Sequence, residues 1–302
     1  MLSRVAENIY WMGRYLERAE NTARLVSVTG TLLLDQPGAG REQGWKRLVT
    51  ITGCEANFAA SGAMPSEEAV TRFLLSEPDD NPSSLFSSVA YARENLRAMR
   101  DIFPQELWEG INDLSMFLRE RGGIGVEAAH RHVFLGEVIG RCQTLVGILV
   151  GTLSRGPAFD FFSMGQHMER ADMCTRILDV DVGSGQPLAG VDSLWLNLLR
   201  SVSGEPMYRR HINPRINAVD VVTFLLRDRR FPRAFNFCLY EVERCLNTLD
   251  HNALSIQLLK RMERRVDTQE VAILIETGPG VFMDELQQKL QKLHEIITAI
   301  YF

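Results

Sequence analysis

One thirteen-residue segment occurs twice in this chain, and that constrains the fold more than any other feature. Residues 12–24 read Met-Gly-Arg-Tyr-Leu-Glu-Arg-Ala-Glu-Asn-Thr-Ala-Arg, and residues 164–176 read Met-Gly-Gln-His-Met-Glu-Arg-Ala-Asp-Met-Cys-Thr-Arg. Met, Gly, Glu, Arg, Ala and the final Arg coincide without a gap, and Glu20 matches Asp172. The copies stand 152 residues apart in a chain of 302. Other landmarks recur at nearly the same spacing: Trp45 with Trp195, Gly53 with Gly204, Phe73-Leu74-Leu75 with Phe224-Leu225-Leu226, and Pro82 with Pro232. A collinear series of this kind implies tandem duplication. Two copies are too few for a solenoid. The expected product is an all-α helical bundle of two similar halves, residues 1–154 and 155–302, packed about a pseudo-twofold axis.

Hydrophobic spacing supports helices throughout. Val5, Ile9, Met12, Leu16, Ala19, Ala23 and Val26 recur at steps of three and four, one apolar stripe of an amphipathic helix over residues 3–31. The stretch Asp35-Gln36-Pro37-Gly38-Ala39-Gly40 breaks it. Pro65, Pro82, Pro104, Pro214 and Pro232 stand near the starts of new periodic segments, where proline is well tolerated. Ser66-Glu67-Glu68 and Asn213-Pro214 read as N-terminal caps. Arg121-Gly122-Gly123-Ile124-Gly125 reads as a helix end, followed by a long helix over about 126–154 that stops at Ser154-Arg155-Gly156-Pro157. No alternating strand pattern occurs, so no sheet is expected.

Composition narrows the function classes. A net charge of −5 argues against non-specific nucleic-acid binding, which needs a cationic surface. No run of 18 apolar residues exists, so no bilayer span is expected. The N-terminus carries Arg4 and Glu7 and has no apolar signal core. The five cysteines, at 54, 142, 174, 238 and 245, form no Cys-x-x-Cys, so neither a disulfide framework nor a zinc ribbon is expected, and a reducing cytoplasm is the default.

On a helical wheel, Gly13, Glu17, Glu20 and Arg24 cluster on one flank of the apolar stripe, and Arg18 falls on the other. Glycine inside a helix costs about 1 kcal/mol, so keeping Gly13 and Gly165 suggests a close approach by another helix or a ligand. Two readings stand. The carboxylates and arginines are structural ion pairs that fix the register of a bundle. Alternatively they form an acid–base or anion-binding site. On the first reading Glu17, Arg18, Glu169 and Arg170 are expected to be largely buried among charged partners.

Other chemistries find less support. A di-metal bundle wants two Glu-x-x-His pairs, and only Glu127-Ala128-Ala129-His130 is present, so no metal or other cofactor is expected. His132 and His167 show no ligand spacing, and there is no Gly-x-Ser-x-Gly and no P-loop. Cys142 and Cys174 read as core, and Thr277-Gly278-Pro279-Gly280 as a turn. Arg93, Glu94, Arg97, Arg100 and Asp101 read as a solvated face against which Trp108 could pack. Arg209-Arg210-His211 and Arg227-Asp228-Arg229-Arg230 read as ordinary surface.

The N-terminal run Met1 to Asn21 resembles the bacterial alpha-E family, all-helical domains named for a Glu-Arg motif and usually duplicated in tandem. Here the motif is Glu17-Arg18 and Glu169-Arg170. Asn81-Pro82-Ser83-Ser84, Ala92-Arg93-Glu94-Asn95 and Trp108-Glu109 look like the family as well. The resemblance implies a setting of peptide synthesis or modification. Its partners there are ATP-grasp amidoligase-like proteins, transglutaminase-like proteins and Ntn-type peptidase proteins. It implies candidate motif residues Arg14, Glu17, Arg18, Glu20 and Arg24 in the first copy, and Glu169, Arg170, Asp172 and Arg176 in the second. Ser163 replaces Trp11 and Gln166 replaces Arg14, so only the first copy need be a complete site. Two functions follow: a non-catalytic partner of an ATP-grasp ligase or its peptide, or an enzyme that uses the Glu-Arg rows.

Overall fold

The computed structural model describes residues 1–34, 38–76, 81–183 and 191–302, without the side chains of 39, 181–183 and 191–193. The described residues are all-α, with no strand among them. The chain divides into two compact units, Asn8–Phe162, and Met1–Glu7 with Ser163–Phe302.

The first unit contains most of α1 (Ser3–Leu32), then α2 (Gly38–Ile51), α3 (Glu55–Ala60), α4 (Glu67–Leu75), α5 (Leu85–Arg97), α6 (Gln105–Val126) and α7 (Ala128–Thr152). Helix α8 (Pro157–Gly183) crosses the unit boundary. The second unit continues with α9 (Val191–Ser201), α10 (Glu205–His211), α11 (Ala218–Arg227), α12 (Phe235–Leu246), α13 (Ala253–Asp267), α14 (Val271–Thr277) and α15 (Gly280–Tyr301). In the first unit α6 packs on α7, α5 and α4, and α2 packs on α4. In the second, α13 packs on α15 and α12, and α11 packs on α12 and α14.

The apolar stripe of α1 is core: Ile9, Met12, Leu16, Ala19, Ala23 and Val26 are buried. The break read over 35–37 lies outside the described residues. The prolines stand where expected. Pro104 directly precedes α6, Ser66 caps α4 by accepting from the Ala69 N–H at 3.2 Å, and Gly278 turns the chain at φ 90° ahead of α15. Trp45 on α2 and Trp195 on α9 are both buried, as are Phe73–Leu75 and Phe224–Leu226 at the ends of α4 and α11.

Helix α6 ends at Val126, directly after the glycine-rich segment, and α7 begins at Ala128, as read from the sequence. The glycines also make room inside the helix: a side chain at Gly122 would overlap the Phe86 ring, and one at Gly125 would overlap Phe134. Two local readings need correction. At α11 the cap is Asn217, which accepts from the Asp220 N–H at 2.8 Å, while Asn213 accepts from the Arg215 N–H in the preceding turn. The Gly53–Gly204 match is off by one. Gly53 ends α2 with φ 67°, and the N–H of Cys54 reaches the Val49 carbonyl at 3.1 Å. Ser203 takes that position after α9 with φ 54°, and the Gly204 N–H reaches the Leu199 carbonyl at 2.7 Å. Both are Schellman closures, in which a left-handed residue satisfies the last helix carbonyls. Glycine is kept at 204 because a Cβ there would crowd Phe224 and Phe231.

By length and composition alone, α7 is apolar enough to cross a membrane. About a third of that stretch is buried, and Phe134, Leu135, Val138, Cys142, Leu145 and Leu149 form its inner row.

Gly122→Ala should therefore destabilise the fold by about 1–3 kcal/mol through overpacking. Gly147→Ala, on the open side of α7 with no atom near the added methyl, should stabilise it by up to about 1 kcal/mol. Denaturant melts of the two variants check the contrast.

Candidate functional site

The repeated motif is the first place to look for chemistry. In α1 the flank beside the core stripe is itself out of water. Gly13 is buried, Glu17 is 1% exposed and Glu20 is 2% exposed. Glu20 pairs with Arg24 one turn later at 2.5 Å, the geometry an i,i+4 row on a helix provides. Gln143 of α7 approaches the same carboxylate at 3.4 Å. Cys142 lies alongside in the core. Its thiol is pushed well above the ordinary cysteine range by burial, and further by the charges of Glu20 and Glu17. A thiol held neutral in this way is no nucleophile.

Arg18 and Arg170 are only part-buried, which corrects the expectation that they would be buried with the glutamates. The reason is visible at Arg18, whose guanidinium stacks over the Tyr15 ring at 5.6 Å. A long arginine can bury its stem and keep its head near water. The same face carries a ladder of rings. Trp11 stacks on Tyr15 at 5.4 Å, Tyr15 meets Tyr91 of α5 at 5.3 Å, and Arg14 lies 5.3 Å above Trp11.

The second copy on α8 is built more lightly. Glu169 is 3% exposed, but Asp172 and Arg176 pair at 2.8 Å with about a fifth and a third of their side chains in solvent. His167 stands where Tyr15 stands in the first motif, and meets Phe237 of α12 at 5.7 Å. Burial pushes the Cys174 thiol up to about 12.

Sequence reasoning missed two polar contacts in the first unit. Arg131 of α7 is buried and donates to Glu67 of α4 at 2.8 Å and to the Val126 carbonyl at 2.7 Å, with its guanidinium 5.3 Å above the Trp45 ring. This ties α2, α4, α6 and α7 together, and its partners lie too far apart in sequence for any local spacing to reveal them. Ser27 and His132 lie 3.1 Å apart on α1 and α7. Among the described residues no carboxylate orients that histidine. Ser27 also sits mid-helix, where neighbouring N–H groups are already used, so no oxyanion site adjoins it.

The remaining candidates are absorbed locally. Glu127 and His130 sit exposed at the start of α7, and among the described residues no three His, Cys, Asp or Glu groups could hold a metal. Trp108 lies under both Arg93 and Arg100, and Arg93 also donates to Asn112 at 2.7 Å. Arg209 pairs with Glu205 at 2.9 Å, and Arg227 donates to the carbonyls of Val266 and Gln269 near the end of α13. The cysteines are all buried, and none is in a disulfide.

Compared with known proteins, residues 1–302 match the Alpha-E family, described as a predicted alpha-helical domain with a conserved ER motif. The chain belongs to that family. It is 24% identical, over 320 aligned positions, to uncharacterized proteins of Mycobacterium bovis and of two Mycobacterium tuberculosis strains. The match covers 98% of this chain and 36% of each relative, so the chain spans about a third of their length. No solved structure matches it.

The two copies of the row should respond differently to truncation. Glu20→Ala leaves a largely buried arginine short of its carboxylate and should cost about 3–5 kcal/mol. Asp172→Ala breaks a solvent-screened pair and should cost under about 1 kcal/mol. Urea unfolding of both variants measures the difference.

Proposed function

We propose that this chain is the helical binding component of a bacterial peptide synthesis or modification system. It acts as a non-catalytic partner of an ATP-grasp amidoligase-like protein or of that protein's peptide substrate, with a transglutaminase-like protein as a further partner class. The observation that carries this reading is the burial of Glu17, Glu20 and Glu169. Carboxylates withdrawn from water, with Glu20 matched by Arg24, serve a bundle better than a substrate, which must reach its acid or base. The buried thiols, with Cys142 and Cys174 held neutral by burial, and the incomplete Ser27–His132 contact support the same conclusion. So does the greater length of the relatives, in which a chain like this is one portion of a larger protein. Five cysteines with no disulfide among them suit a reducing cytoplasm.

We further read the chain as a tandem duplicate. Support comes from the Schellman closures at Gly53 and Ser203, the buried Trp45 and Trp195, and the ring contacts of Tyr15 and His167. The copies are unequal. The first keeps the Trp11–Arg14–Tyr15–Arg18 ladder, and the second replaces Trp11, Arg14 and Tyr15 by Ser163, Gln166 and His167.

On this reading the tagged chain captures an ATP-grasp amidoligase-like protein of the same bacterium, and adding the chain raises that ligase's amide formation. Glu17→Ala should lower the melting temperature, and activity should fall only in step with the folded fraction. A Glu17→Ala protein that melts like wild type yet abolishes turnover would point to an enzyme using the Glu-Arg row.

A further inference from the structure

A second polar–apolar site lies away from the motif, in the groove between α6 and α7. Its cavity is about 460 Å³, within the roughly 300–1,000 Å³ range of small-ligand sites. The floor is apolar. Phe117 of α6 and Phe134 of α7 stack with centroids 5.4 Å apart, and Ile124 and Val133 complete it. Gly125 makes the floor possible, because any side chain there would displace the Phe134 ring. Val133 is 69% exposed, an apolar surface that no described residue covers.

The rim carries both signs of charge. Arg121 stands on α6, Glu127 in the turn between α6 and α7, and His130 and Glu137 on α7. Glu137 is engaged by Arg141 at 3.6 Å. Among the described residues the side chains of Arg121 and Glu127 form no hydrogen bond or ion pair, and both are exposed. An unpaired cation and an unpaired anion thus line the same apolar groove.

We propose that this groove binds a zwitterionic peptide of apolar residues. Its carboxylate meets Arg121, its ammonium meets Glu127, and an apolar side chain lies on the Phe117–Phe134 pair. Charge complementarity selects this occupant: a fatty anion would satisfy Arg121 only, and an apolar amine Glu127 only. The inference rests on the peptide reading above and names the class of peptide.

Isothermal titration of the full chain with L-leucyl-L-phenylalanine tests it, alongside the N-acetylated form, the C-terminal amide and free L-phenylalanine. The free dipeptide should bind saturably, and each blocked form should bind at least tenfold more weakly. Arg121→Ala should weaken the free dipeptide by a similar factor without further weakening the amide. Glu127→Ala should do the same for the ammonium end, weakening the free dipeptide but not the N-acetylated form. Thermal melts confirm that each variant is folded. Comparable binding of L-phenylalanine assigns the site to free amino acids of the same chemistry, and dipeptide-only binding assigns it to peptides. Absence of saturable binding at millimolar concentration, or equal affinity for free and blocked dipeptides, overturns the proposal. Capture of the ligase is scored separately, so loss of this site and loss of the partnership are told apart.

Discussion

Charge withdrawn from water is the constraint on which the first unit turns. Glu17 and Glu20 lie on the flank of α1 that a purely apolar helix would fill with leucine. A buried carboxylate is tolerated only with a matching cation and hydrogen-bond donors close by. Arg24 one turn on and Gln143 of α7 supply them at Glu20. The neighbouring Cys142 stays neutral under the same field. Sliding α1 along α7 would separate these groups, whereas a leucine seam would tolerate such a slip. The polar row therefore specifies register as well as contributing to stability. Arg131 with Glu67 and the Val126 carbonyl acts alike at the other end of α7, under the Trp45 ring.

Much of this was legible in the residues because helical period is a local property. The stripe from Ile9 to Val26 and the flank from Gly13 to Arg24 follow from spacing alone. What escaped was set by residues far apart in the chain. The Arg131–Glu67 pair depends on how α4 meets α7, and nothing beside either residue signals it. Glycine was the most ambiguous letter. At Gly53 it supplies a left-handed closure, at Gly122 and Gly125 it makes room for rings inside a helix, and the three look alike in sequence. Ser203 shows the converse. It holds a left-handed position without glycine, because the glycine is needed one residue later against Phe224 and Phe231.

Within the first unit, the buried charge and the open groove lie in different places. The motif row is buried, whereas the α6–α7 groove is open, and among the described residues Arg121 and Glu127 on its rim are engaged by no other side chain. A chain built this way can vary its groove without disturbing the row that holds its helices in register.

The central claim is that the Glu17–Glu20–Arg24 row of α1 holds the first unit in register, and a double-mutant cycle tests it most directly. Wild type, Glu20→Gln, Arg24→Met and the double variant are unfolded in urea under identical conditions. The account predicts a coupling free energy of about 1.5–3 kcal/mol between the two side chains, at the upper end for groups in contact. A coupling below about 0.5 kcal/mol, the level of an exposed i,i+4 pair, would contradict it.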